Sequence, residues 1–156
     1  MIEKTCCFTG HRQLPQNKLE QIMTKLHQEI EKLITKGVTD YISGGALGFD
    51  LITASYIVAK KEMGSPIRLI FALPCKNHTE KWPAKAKELF GQLLGEADEV
   101  CYVSDAYEIN CMKKRNQFMV DRTQYCICAL LRNQSGTGQT VAYAGQKRRR
   151  MINVLK

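Results

Sequence analysis

Nothing in this sequence approaches the roughly 20 consecutive apolar residues needed to cross a bilayer. Its purely apolar stretches are a handful of residues long, and the opening Met1-Ile2-Glu3-Lys4 is no apolar leader. A cytoplasmic address is therefore expected. Proline is scarce, at 4 residues, and no low-complexity tract interrupts a composition that is 44% hydrophobic and 24% charged. That balance argues against a fibrous or disordered chain, because enough apolar surface is present to offset the entropy of folding. In 156 residues without a visible linker, one domain spanning 1-156 is expected.

Acidic residues are the minority charge: 15 Asp plus Glu stand against 23 Lys plus Arg, a net charge of +8. Such a balance favours anionic partners such as nucleotides, nucleic acid or acidic lipid. Part of the excess is the run Lys147-Arg148-Arg149-Arg150. No aromatic residue interleaves it for base stacking, and cations suit the negative end of a helix dipole, so a solvated helix terminus is the preferred reading. The 7 cysteines are an odd number. Cys6, Cys7, Cys101, Cys126 and Cys128 lie in apolar, β-prone runs and are expected as reduced core residues. Cys126 and Cys128 are expected on opposite faces of a strand, and no metal site is expected.

Periodicity organises the rest. Thr5 to Thr9 reads as a buried strand that stops at Gly10-His11-Arg12, and Leu19, Ile22, Met23, Leu26, Ile30, Leu33 and Ile34 form a helical stripe ended by Gly37. Strands are expected at Val38 to Ser43, Ile67 to Leu73, Glu99 to Val103, Tyr125 to Leu131 and Met151 to Leu155. Helices fall around Leu51 to Val58, Ala86 to Leu93, Asn110 to Val120 and after Gly138. Alternating strands and helices imply a doubly wound, Rossmann-like α/β sandwich with a mainly parallel sheet of about six strands. Trp82, beside Pro83, is expected as a packing anchor.

In such sheets ligands bind at the carboxyl ends of strands, where helix N-termini favour phosphate. Three loops suit that place. Thr9-Gly10-His11-Arg12 offers a hydroxyl, close backbone approach and a planar cation. Gly44-Gly45-Ala46-Leu47-Gly48-Phe49-Asp50 opens a helix, yet no Gly-Lys-Ser/Thr follows, which disfavours a P-loop triphosphatase. Ser135-Gly136-Thr137-Gly138 is a third strand-to-helix turn. Arg115 could pair a phosphate, Asn116 adds a polar group, and Asp121 could accept from a ribose hydroxyl or pair with a cation.

These motifs together, with Trp82, Arg115-Asn116-Gln117-Phe118-Met119-Val120-Asp121 and Gly136-Thr137, resemble the YpsA-like proteins of the SLOG superfamily, which includes the DNA-binding protein DprA and the LOG phosphoribohydrolases. The resemblance spans almost the whole chain. It implies a domain that binds nucleotides or NAD-derived molecules such as ADP-ribose, in sensing, stress or phage-conflict systems, with some members self-associating into homo-oligomers. It carries the ligand pocket onto Thr9, Gly10, His11, Arg12, Gly44, Gly45, Ala46, Leu47, Gly48, Asp50, Arg115, Asn116, Asp121, Gly136, Thr137 and Gly138. LOG enzymes place a glutamate three positions after a Gly-Thr pair, where this chain has Thr140. A hydroxyl cannot stabilise an oxocarbenium-like centre or activate water as a carboxylate does, so that reaction is disfavoured.

A non-catalytic or weakly catalytic binding domain for a small-molecule nucleotide or ADP-ribose-like ligand, acting as a sensor, regulator or sequestering protein, is the leading expectation. A hydrolase of an N-glycosidic or phosphate bond, using His11, Asp50, Glu108 or Asp121, ranks second, and a DprA-like single-stranded nucleic-acid binder third.

Overall fold

The computed structural model describes residues 2–156, so Met1, the first residue of the N-terminal stretch read above, lies outside the described residues. Strands and helices alternate as β1 (Thr5–Gly10), α1 (Leu19–Thr35), β2 (Asp40–Ser43), α2 (Phe49–Glu62), β3 (Arg68–Leu73), α3 (Ala84–Gly95), β4 (Glu99–Tyr102), α4 (Cys111–Asp121), β5 (Tyr125–Ala129), α5 (Gly136–Gln146) and β6 (Arg150–Asn153). The sheet has the order β4-β3-β2-β1-β5-β6, and every neighbouring pair is parallel. The chain walks outward from β1 to β4, then α4 carries it back to lay β5 against the free side of β1. At that reversal the loops after β1 and β5 diverge to opposite faces of the sheet and open a crevice between them. This is a Rossmann-like α/β fold, as the alternating pattern implies.

Both faces are covered, as expected of strands that read as continuous apolar runs. On one face the buried stripe of α1, Ile22, Leu26, Ile30 and Leu33, packs with α2 and α3 over Cys6, Phe8, Tyr41, Phe71 and Ile127. Phe8 stacks on Tyr41 at 6.2 Å between ring centroids and meets Phe49 edge-on at 6.4 Å. Burying each such ring contributes about 2 to 3 kcal/mol. The other face is smaller: Met119 and Val120 of α4 and Ala144 of α5 cover Cys7, Ile42, Ile70, Ala72 and Cys126. Gly37 ends α1 with a φ of 88°, a left-handed conformation that glycine adopts without strain. Trp82 packs against the larger core and makes edge contacts with His78 and Phe90.

Several sequence expectations are corrected here. Cys126 and Cys128, two apart in one strand, share a face instead of opposing each other, because strand side chains alternate with period two. Cys101 is only half-buried, while Cys75 and Cys111 are buried as well. Among the described residues, no three His, Cys, Asp or Glu side chains are grouped as a metal site would require, and no helix is long and apolar enough to cross a membrane.

The basic run is divided rather than being one helix end. Lys147 caps α5, Arg148 turns with a φ of 58°, and Arg150 opens β6. The Arg149 guanidinium donates to the Val120 and Asp121 carbonyls at 3.0 and 3.3 Å, satisfying the end of α4.

Candidate functional site

A cleft of about 480 Å³ opens at the β1/β5 reversal, within the range of small-ligand sites. Its wall comprises Phe8 to Gln13 at the end of β1, Ala46 and Asp50 from the β2–α2 turn, Met112, Arg115 and Asn116 from the start of α4, and Arg132 and Ser135 to Thr137 from the β5–α5 turn. First-turn residues of three helices therefore border one space, with the positive ends of three helix dipoles directed to it.

His11 binds the loops together. Its Nε2 accepts the Leu131 N–H at 2.9 Å, and its carbonyl accepts the Phe49 N–H at 3.2 Å. An accepting Nε2 requires a neutral ring with its proton on Nδ1. Burial, with the Arg132 charge second, lowers its pKa and keeps that state. Gly48 makes this crossing possible: its φ is +81°, and a Cβ there would lie 2.3 Å from the Arg12 carbonyl oxygen and 2.5 Å from that of His11. Only glycine tolerates both the left-handed backbone and the approach.

The β2–α2 turn differs from the expected phosphate cradle. The Gly45 N–H donates to Ser43 Oγ at 3.2 Å and the Ala46 N–H to Asp50 Oδ2 at 3.1 Å, so both amides are occupied within the turn. Ser43 and Thr53 in turn donate their hydroxyls to the Asp50 carbonyl. Leu47 packs on the core. What the turn delivers to the cleft is a carboxylate: Asp50 is 5% exposed, and burial pushes its pKa up to about 6, opposed by Arg115, the Ala46 amide and Arg12.

Arg115 is equally buried. Its Nε donates to Asn116 Oδ1 at 2.8 Å and its Nη1 to the Gly44 carbonyl. Burial lowers its pKa, with Asp50 pulling the other way. Gly44 lies between the two charges, since a Cβ there would come within 2.8 Å of Asp50 Oδ2 and 2.9 Å of Arg115 Cζ.

Gly136, Thr137 and Gly138 form the first turn of α5 instead of a preceding loop. Ser135 is the N-cap, its Oγ accepting the Gly138 N–H at 2.9 Å and donating to the Arg132 carbonyl at 2.6 Å. Gly138 packs on the Asn133 carbonyl, which a Cβ would meet at 1.9 Å. The amides of Gly136 and Thr137 have no acceptor within the helix and border the cleft. Thr140 turns its hydroxyl back to the Gly136 carbonyl at 3.0 Å, away from the wall.

The wall thus brings together Thr9, Gly10, His11, Arg12, Ala46, Asp50, Arg115, Asn116, Gly136 and Thr137. Gly44, Gly45, Leu47, Gly48 and Gly138 shape its backbone from behind. Asp121 lies elsewhere: at the far end of α4 it accepts the Tyr143 hydroxyl at 2.7 Å and sits 3.9 Å from Lys147 Nζ. Glu108 is exposed outside the cleft, held by Lys114 and Ser104. Sequence reasoning named Ser135 in the third loop without assigning it to the ligand, and missed Phe8, Gln13, Met112 and Arg132 as wall residues. An arginine just past an apolar strand was the available signal for one of them.

Similarity to known proteins agrees with this architecture. The uncharacterized SPbeta prophage-derived protein YoqJ of Bacillus subtilis (strain 168) is 31% identical over 137 residues, covering 80% of each chain. A UPF0398 protein of Bacillus pumilus is 28% identical over 107 residues, 67% of this chain and 58% of that one. Among solved structures, DNA processing protein A of Streptococcus pneumoniae superposes with a TM-score of 0.70 at 14% identity, over 96% of this chain and 49% of that one. The Helicobacter pylori protein of that name, solved for its single-stranded DNA binding mode, gives 0.64 at 14%, over 94% of this chain and 63% of that one. At such identity the likeness is one of fold. The model of the YspA SLOG family matches residues 6–153, which takes in all of the sheet but Thr5, the first residue of β1, and every wall residue of the cleft, and the chain belongs to that family.

Proposed function

We propose that the cleft binds a nucleotide or NAD-derived ligand such as ADP-ribose through its phosphates, and that the protein acts as a sensor, regulator or sequestering protein. The observation that carries this reading is the charge layout of the wall. Arg12, Arg115 and Arg132 and the open amides of α5 face a space that holds a single carboxylate. Hydrolysis is the weaker reading, because a glycosidic or phosphate cleavage needs a matched acid and base. Asp50 has no second carboxylate on the wall, and His11 Nε2 is engaged by a backbone amide.

Single-stranded DNA binding, the property for which the Helicobacter pylori relative in fold was solved, shares the phosphate chemistry. The basic run lends it little. Arg149 is spent on α4, and Lys147 to Arg150 lie at the opposite end of α5 from the cleft, about 16 Å away at 1.5 Å per residue over 11 residues.

Native mass spectrometry of purified protein, followed by denaturation, tests the proposal. A nucleotide or ADP-ribose derivative released from wild type, and not from Arg12→Ala, is the expected result. Empty wild-type protein that also gives no calorimetric heat with added nucleotides overturns it.

A further inference from the structure

The cleft wall contains one group that a phosphate site alone does not explain. Asp50 is a buried carboxylate on a cationic, amide-rich wall, where it repels phosphate. Arg115 and Arg12 attract it from farther off, but among the described residues no lysine or arginine comes within salt-bridge distance of it. Arg115 instead directs its guanidinium to the Gly44 carbonyl, Asn116 and Met112. Of the carboxylate's own atoms, Oδ2 takes a single hydrogen bond, from the Ala46 amide. An ionised carboxylate accepts along about four lone-pair directions. Among the described residues no fully buried side-chain oxygen lacks a hydrogen-bond partner, so the accepting capacity that Asp50 has left is open to the cleft it borders.

Whatever meets Asp50 in the bound state must donate hydrogen bonds. In a nucleotide the sugar is covalently interposed between phosphate and base, so the donors nearest a bound phosphate are the ribose hydroxyls. The wall favours them over base amino groups. Its aromatic rings, Phe8 and His11, are 0% and 5% exposed and leave no face for a base to stack on. Around Asp50 the neighbours are Gly44, with the Arg115 guanidinium on its other side, and the backbone of Ala46. Arg12 and Arg132 are exposed on the cleft wall, whereas Asp50 is buried in it.

We infer that Asp50 accepts the ribose hydroxyls of the ligand, which makes the cleft selective for ribonucleotides over deoxyribonucleotides and over single-stranded DNA. The assignment rests on the phosphate reading above and adds a sugar specificity to it. The selectivity arises because a ligand lacking those hydroxyls leaves the buried carboxylate unpaired, and sites built around a substrate hydroxyl discriminate strongly against its absence.

Calorimetric titration at pH 8 with ADP, 2′,3′-dideoxy-ADP, inorganic pyrophosphate and a short oligothymidylate tests this. Wild type is expected to bind ADP at least about tenfold more tightly than the dideoxy analogue. In Asp50→Asn the preference shrinks, and in Asp50→Ala it disappears, while pyrophosphate affinity is unchanged or improved because a repelling charge has gone. The comparison between ligands on wild type needs no variant, and cooperative melting establishes that each variant is folded. Equal affinity for ADP and its dideoxy analogue, tighter binding of the oligothymidylate, or a preference that survives in both variants overturns the ribose assignment. If pyrophosphate still binds in those cases, the phosphate reading stands alone. If neither ADP nor pyrophosphate binds wild type, both fall.

Discussion

Asp50 should make the empty protein less stable at neutral pH than in mild acid, and Asp50→Asn should remove that penalty. Burial raises its pKa from 3.8 to about 6. Between those values the folded chain binds more protons than the unfolded one, so stability falls as pH rises through the window and the full cost is present above it. At about 1.4 kcal/mol for each pH unit of displacement, the cost approaches 3 kcal/mol. The attraction of Arg115 is already contained in that figure, because it opposes the same displacement. Asparagine keeps the shape and an oxygen for the Ala46 amide while omitting the charge.

Urea denaturation of wild type and Asp50→Asn at pH 4 and pH 8 measures the difference directly. The variant should be more stable by up to about 3 kcal/mol at pH 8, and within about 1 kcal/mol of wild type at pH 4. At roughly 2 to 4 °C for each kcal/mol in a chain of this size, a melting scan at pH 8 should move up by several degrees. Carboxylates with lowered pKa values, such as Asp98 beside Lys61, respond to pH in the opposite sense, but they are common to both proteins and cancel in the comparison. A gap that is the same at both pH values, or a variant less stable at pH 8, refutes the reasoning. The ligand-free protein would then gain nothing from losing this charge.

Gly48→Ala should cost more than about 2 kcal/mol in a urea titration, because the added Cβ meets the Arg12 carbonyl at 2.3 Å in a left-handed backbone; a variant within roughly 0.5 kcal/mol of wild type, the scatter of innocuous surface changes, contradicts the turn geometry. Nitrogen-15 NMR at pH 6.5 should find His11 neutral and protonated on Nδ1, since its lowered pKa makes the folded state resist protonation. An imidazolium signal at that pH refutes the bond to Leu131.

Much of the architecture was legible because it rests on periodic burial. The α1 stripe and the alternation of apolar runs with amphipathic segments follow from the spacing of side chains alone. The location of the cleft was legible for a related reason: in a parallel sheet the crevice lies at the carboxyl ends of the strands, where the strand order reverses. What each loop contributes was not legible. Whether the amides of Gly45 and Ala46 are free depends on Ser43 and Asp50 folding back onto them, and local side-chain acceptors compete for backbone donors without leaving a periodic trace. Asp121 is a carboxylate in a plausible motif that lies at the wrong end of its helix, because α4 presents only its first turns to the cleft. The Gly136 to Gly138 segment has the composition of a loop, and the Ser135 cap turns it into the start of α5.

The hydrogen bond from Leu131 to His11 joins residues 120 positions apart, and this has a bearing on synthesis. During translation β1 emerges first, but the partner that completes its second edge, β5, is made only after four further strand-connecting crossovers. Until then one side of Thr5–Gly10 offers unpaired amides and carbonyls to any passing chain. A ribosome-bound product that ends at β4 has four of the six strands, yet neither Arg132 nor the α5 amides. On the proposed reading, ligand capture would report that the chain has been made through α5, and a cell supplied with the ligand would stabilise molecules made that far selectively over shorter nascent ones.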